Sequence, residues 1–139
     1  MIEYHYETDF KLREETKFTD WITRIFESEQ RVCERLDYIF CNDEYLLEIN
    51  RKYLNHDTFT DIVTFDYSEG GNVIGDIFIS VERVKENGLD LNINFEDELL
   101  RVMSHGVLHL LGYNDKKAAD VDLMREKENE KIKLFHVEQ

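Results

Sequence analysis

SHGVLHLLGYND, residues 104–115, is the stretch that decides how this chain reads: two histidines four apart, then a glycine and an aspartate. At about 100° per residue, Leu99, Leu100, Val102, Met103, Val107, Leu108, Leu110 and Leu111 cover most of the circumference of a helix over 96–111. A helix apolar nearly all round is a buried one. Its single polar stripe is Glu98, Arg101, His105, His109 and then Gly112. Polar groups on a buried helix need partners. His105 and His109 lie on adjacent turns, their Cβ atoms roughly 5–6 Å apart. Two imidazoles at that spacing can converge on one metal ion at about 2.0–2.1 Å. Gly112 suits a helix end in the left-handed conformation, which turns the chain back. Tyr113-Asn114-Asp115 then returns and offers a carboxylate as third ligand.

Three protein ligands with one open position is the pattern of a catalytic rather than a structural zinc site. Such a site lowers the pKa of its water from about 15.7 to about 7. Other readings stand beside it. An HxxxH pair by itself is common among solvated or singly hydrogen-bonded histidines. A metal-free acid–base pair is a further reading, but both rings would sit on one side of the substrate. HExxH zincins place their general base, a Glu, directly after the first His; Gly106 stands there, which disfavours a peptidase. Two His and one carboxylate also describe non-haem iron oxygenases, for which nothing else in the chain speaks.

Outward from this helix, strands and helices intermix. MIEYHYE (1–7) alternates, with Ile2, Tyr4 and Tyr6 on one face, as in a half-buried strand. Residues 17–31 read as a helix carrying Trp21, Ile22, Ile25 and Phe26 on one side, and RLDYIF (35–40) as a strand. Asn42 is an N-cap candidate for a helix ending near Tyr53. DIVTFDY (61–67) and NVIGDIFIS (72–80) flank Gly70-Gly71, which predicts a hairpin. A helix over 81–87 is expected to stop at Gly88. Asn94 caps the histidine helix, with Asp97 in a capping-box-like position. A charged helix over 117–135 closes the chain. The expectation is an α/β (α+β) fold: a small mixed four-stranded sheet with one hairpin, packed by about five helices, the metal site at the end of the buried helix.

A length of 139 residues implies a single domain, 1–139, large enough to bury a core without disulfides. Cys33 and Cys41 form no disulfide framework or zinc-thiolate spacing and read as buried small hydrophobes in a reducing compartment. No signal-peptide-like stretch or membrane span appears, so a cytoplasmic location is expected. The net charge of −14 argues against broad nucleic-acid binding. An RNA partner then needs a local basic patch or a protein that presents it.

HGVLHLLGYND resembles HGxLHLxGYDH, the signature of the YbeY-type endoribonucleases. TDIVTFDY (60–67) is similar to that family's PTDVLSF strand and IGDIFIS (74–80) to its LGDIxIS strand, while Asn50 and Tyr53 sit as in its LNxxYR. The resemblance spans the chain and implies a metal-dependent, single-strand-specific endoribonuclease of 16S rRNA 3′-end maturation and ribosome quality control. It further implies one Zn2+ (another divalent metal remaining possible), a ribosomal or small-subunit partner, and no membrane. It carries the ligand roles onto His105, His109 and Asp115, where the family usually has a third His. It also shows a missing cation: Leu54 stands where the motif has Arg. Arg51, Lys52, His56, Lys116 and Lys117 are the nearby substitutes for substrate binding, against an ordinary role as solvated surface charges. Thr60 and Asp61 match the motif and read as bracing the start of a strand. Asp76, inside a strand, needs a backbone amide or an Arg as partner. Glu98 either accepts a hydrogen bond from a ligand histidine or simply pairs with Arg101 at i+3. Two further functions stay open: a ribosome-associated assembly factor whose metal is mainly structural, and a zinc hydrolase of another bond such as an amide.

Overall fold

The computed structural model describes residues 1–137. In chain order the elements are β1 (Ile2–Tyr6), α1 (Glu15–Ser28), β2 (Cys33–Cys41), α2 (Asp43–Tyr53), β3 (Ile62–Asp66), β4 (Val73–Ser80), α3 (Val81–Leu91), α4 (Phe95–Leu110) and α5 (Ala118–Phe135). The strands form one sheet in the order β1-β2-β4-β3. β1 and β4 both run parallel to β2, and β3 pairs antiparallel with β4. The expected hairpin is therefore β3–β4, turned by Gly70 at φ 61° and Gly71 at φ 89°.

Strand alternation divides the sheet into two faces. Ile2, Tyr4, Leu36, Tyr38, Phe40, Ile77 and Ile79 meet α1, α4 and α5 in the main core. Cys41, Leu46 and Val63, with Ile49, Phe65 and Phe78, make a smaller cluster that seats α2 on the other face. The histidine helix crosses the main core, and the Tyr38 hydroxyl donates to the Met103 carbonyl at 2.9 Å. Two glycines let it approach the sheet. A Cβ on Gly106 would lie 2.9 Å from the Cδ1 atoms of Ile62 and Ile77; one on Gly75 would lie 2.8 Å from a methyl of Leu110. Position 106 thus faces β-sheet, which is a physical reason why no glutamate stands there.

Both predicted asparagine caps are present: Asn42 accepts from the Tyr45 N–H and Asn94 from the Asp97 N–H, each at 2.8 Å. Three elements differ from the sequence reading by more than one residue at an end. α1 starts at Glu15 and ends at Ser28, because Gln30 takes φ 54° and turns the chain. β2 is longer than 35–40, running from Cys33 to Cys41 because β4 supplies partners at both its ends. α3 does not stop at Gly88. It continues to Leu91, and Asn92 takes the left-handed position at φ 57°. Gly88 is instead required inside the helix, where a Cβ would meet the Ile93 carbonyl at 2.9 Å.

Candidate metal centre

α4 ends where its ladder runs out, and the cap there sets the site. Gly112 takes φ 101°, the Tyr113 N–H returns to the Leu108 carbonyl at 3.0 Å, and the chain folds back beside the helix. Asp115 is thereby brought against both histidines. His105 Nε2 and His109 Nε2 lie 2.9 Å apart, and each lies 3.3 Å from Asp115 Oδ2. A tetrahedral zinc ion with bonds of about 2.0–2.1 Å sets its ligand atoms about 3.3–3.4 Å apart. Two edges of the donor triangle have that length and the third is shorter. All three side chains are half-buried, which leaves one side of the triangle open. The residues present fit a divalent cation with a free coordination position.

Among the described residues one other group has comparable spacing: Glu3, His5 and Asp37 on the opposite side of β1 and β2. There the Asp37 carboxylate is already engaged by His5 at 2.8 Å and by the Arg35 guanidinium. Asp76 also finds an arginine partner, Arg35, at 3.3 Å.

The triangle is backed by a residue the sequence reading missed. Glu128 of α5 is 4% exposed, and its Oε2 lies 2.6 Å from His105 Nδ1. A carboxylate accepts, so Nδ1 carries the proton and Nε2 presents its lone pair toward the triangle. Arg101 Nη1 donates to the other Glu128 oxygen at 3.1 Å. Burial alone would lower the His105 pKa, but the bond and charge of Glu128, with Asp115 and Asp61, outweigh it and the pKa is raised. Glu98 does not accept from a ligand histidine: it lies 3.5 Å from Arg101, the alternative the i+3 spacing offered. The acceptor role belongs to Glu128 because α5 packs across α4 and brings this carboxylate to the ring from outside the helix. No spacing rule links residue 128 to residue 105; the only sequence sign was a carboxylate on an otherwise charged helix beside Met124.

A cavity of about 350 Å³ opens beside His105 and Asp115, between β3, α3, α4 and α5. Asp61 lines it, with its carboxyl pKa raised chiefly by burial, and its backbone carbonyl accepts the Ser80 N–H at 2.9 Å. Thr60 is local, donating to the Ile62 carbonyl at 3.3 Å. The proposed substitutes for the missing arginine lie elsewhere. Arg51 is held by Asp57 at 2.6 Å and Glu48 at 3.0 Å, Lys52 lies over the Tyr53 ring, and His56 is exposed in the following loop. Leu54 itself is 39% exposed at the end of α2. Lys116 is exposed beside Asp115, and Lys117 occupies the N-cap position of α5. None of these lines the cavity.

The family model described as Endoribonuclease YbeY matches residues 3–136. The chain belongs to the endoribonuclease YbeY family. Relatives of that name include one from Flavobacterium johnsoniae, 56% identical over all of both chains. Another, from Flavobacterium psychrophilum, is 57% identical over 100% of this chain and 99% of its own. The solution structure of TM1509 from Thermotoga maritima is similar with a TM-score of 0.69 and 26% identity, over 97% of this chain and 89% of that one. The mixed four-stranded sheet with five helices is thus the fold expected from the YbeY resemblance. No helix among the described residues is long and apolar enough to cross a membrane.

Proposed function

We propose that this chain is a zinc-dependent, single-strand-specific endoribonuclease. In this reading it works in the cytoplasm on the small ribosomal subunit, in 16S rRNA 3′-end maturation and ribosome quality control. The observation that carries the reading is the triangle of His105, His109 and Asp115 donors with edges of 2.9–3.3 Å, in a chain whose relatives are named Endoribonuclease YbeY. A divalent cation held there supplies Lewis-acid stabilisation of charge on a phosphoryl oxygen and an activated water.

The chain's own residues do the positioning. Glu128 fixes the tautomer and tilt of His105, and Arg101 holds Glu128. Asp115 contributes one negative charge, which offsets part of the cation's charge and weakens it as a Lewis acid relative to a three-histidine site. His105 and Asp115 also line the cavity, so a strand laid there brings a phosphate to the donors.

Elemental analysis of purified protein, with the wild type set against Asp115→Ala, tests the first half. About one zinc per chain in the wild type and a clear loss in the variant are expected. Cleavage of unstructured RNA that disappears in His109→Ala, with the fold retained by circular dichroism, tests the second. Leu54 and the net charge of −14 favour one other reading, an assembly factor on the ribosome with a structural metal. That reading predicts metal-free protein that melts far earlier while RNA cleavage is absent from both forms.

A further inference from the structure

The motif's arginine is lost at Leu54, and the cations that line the site cavity come from α4 and α5 instead. They are Arg101 and Arg125. The two differ in how they are held. Arg101, its side chain 19% exposed, is held between Glu98 and Glu128, so its charge is balanced within the wall. The Arg125 side chain is 57% exposed, and its closest carboxylate, Glu128, lies 3.9 Å away, too far for a hydrogen bond. Arg125 therefore stands at the mouth of the cavity with its donors facing solvent. Ile62, Val102 and Met124, with the exposed Val121, give the cavity apolar walls. In the polar part of the wall, Glu98 Oε1 and Arg101 Nε face each other as a buried ion pair at 3.5 Å.

Resting on the endoribonuclease reading, we propose that this cavity is a subsite for one nucleotide of the RNA strand next to the cut. Its base sits between Ile62, Val121 and Met124, and Arg125 binds its phosphate. His105 and Asp115 belong to the same cavity wall, so a nucleotide seated there places its neighbouring phosphate at the donor triangle. Arg125 is then a substrate-binding residue that positions the strand.

The experiment uses zinc-loaded full-length protein and a single-stranded oligoribonucleotide, intact or with one base removed at each position in turn. Arg125→Ala should raise KM about tenfold with kcat nearly unchanged, and should flatten the dependence of log affinity on log salt by about 0.7, the share of one phosphate contact on a single strand. Arg125→Lys should restore the salt slope. In the wild type, removal of the base at one position beside the cut should weaken binding. Val121→Trp, which fills the cavity from an exposed position, should abolish that dependence. An unchanged KM and salt slope in Arg125→Ala, or equal binding of every base-deleted oligonucleotide, overturns the subsite while cleavage by the wild type keeps the nuclease reading. Zinc-loaded wild type that neither binds nor cuts RNA overturns both.

Discussion

Replacing Glu128 separates the support of the candidate metal centre from the fold. Its carboxylate is 4% exposed and holds His105 at 2.6 Å and Arg101 at 3.1 Å. Loss of such a supporting bond typically costs about 10–100-fold in metal affinity, or about 1.4–2.8 kcal/mol. Glu128→Ala also strands Arg101. Breaking a buried pair costs about 3–5 kcal/mol; Glu98 remains 3.5 Å from Arg101, so about 2–3 kcal/mol is expected for the metal-free protein. Glu128→Gln keeps the shape and one acceptor oxygen, and should cost less than half of that while still weakening the metal. The assay is urea unfolding of apo and zinc-saturated protein, with zinc affinity from chelator competition. At fixed free zinc, a tenfold weaker site lowers the metal-dependent part of the stability by about 1.4 kcal/mol. Glu128→Gln should therefore narrow the gap between holo and apo by about that amount. If both variants lose stability equally with and without zinc, and chelator competition shows wild-type affinity, Glu128 is only a core residue and the reasoning fails.

Asp115→His should move the optimum of the pH–rate profile to lower pH, because a neutral ligand leaves more charge on the cation; an unshifted profile counts against Asp115 as a ligand. Gly106→Ala forces a methyl to within 2.9 Å of Ile62 and Ile77 and should cost about 1–3 kcal/mol, read by denaturant unfolding. Lys131, fully buried, donates to Glu29 at 2.7 Å and Ser28 at 2.8 Å; Lys131→Met should cost about 2 kcal/mol, below the usual figure for a broken buried pair because Glu29 keeps the Tyr113 hydroxyl at 2.7 Å. Burial alone would raise the Glu29 pKa, but Lys131 and Tyr113 outweigh it and hold the carboxyl below its ordinary value. Its contribution is then whole above about pH 4.3 and is lost as pH falls through the lower folded value. Glu29→Gln should flatten the acid limb of a stability–pH curve, and an unchanged limb would show the pair to be inert.

The parts legible in the sequence are those written in local periodicity. The histidine stripe, the Gly112 turn, the asparagine caps and the Gly70-Gly71 hairpin each depend on residues within a few positions of one another, and the structure contains all of them. What local spacing could not supply is contact between distant elements. Glu128 reaches His105 across 23 positions, and the cations lining the cavity come from α4 and α5 rather than from the α2 end. Gly88 shows a different limit. A glycine near a helix end signals a stop by propensity, but here the chain turns at Asn92 and the returning Ile93 carbonyl is what needs the missing Cβ.

The acidity of the chain and its reading as a nuclease are reconciled at the cavity wall. Asp61, Glu98, Asp115 and Glu128 face Arg101 and Arg125 there, so four carboxylates against two guanidinium groups leave the wall with two net negative charges when the histidines are neutral. A bound cation is often the largest local charge in a site and inverts its electrostatics. One divalent ion would bring this wall to neutrality, so Arg125 at the mouth would meet an approaching phosphate without net negative charge behind it. Metal-free protein keeps the negative wall and should repel RNA even where its fold is intact. RNA affinity should accordingly rise with zinc occupancy rather than with overall charge. In anisotropy titrations of one labelled, uncleavable single strand, the apo and zinc-saturated forms should differ by more than the Arg125→Ala and wild-type holo forms do. Equal binding by apo and holo protein would mean that the strand docks elsewhere on the surface.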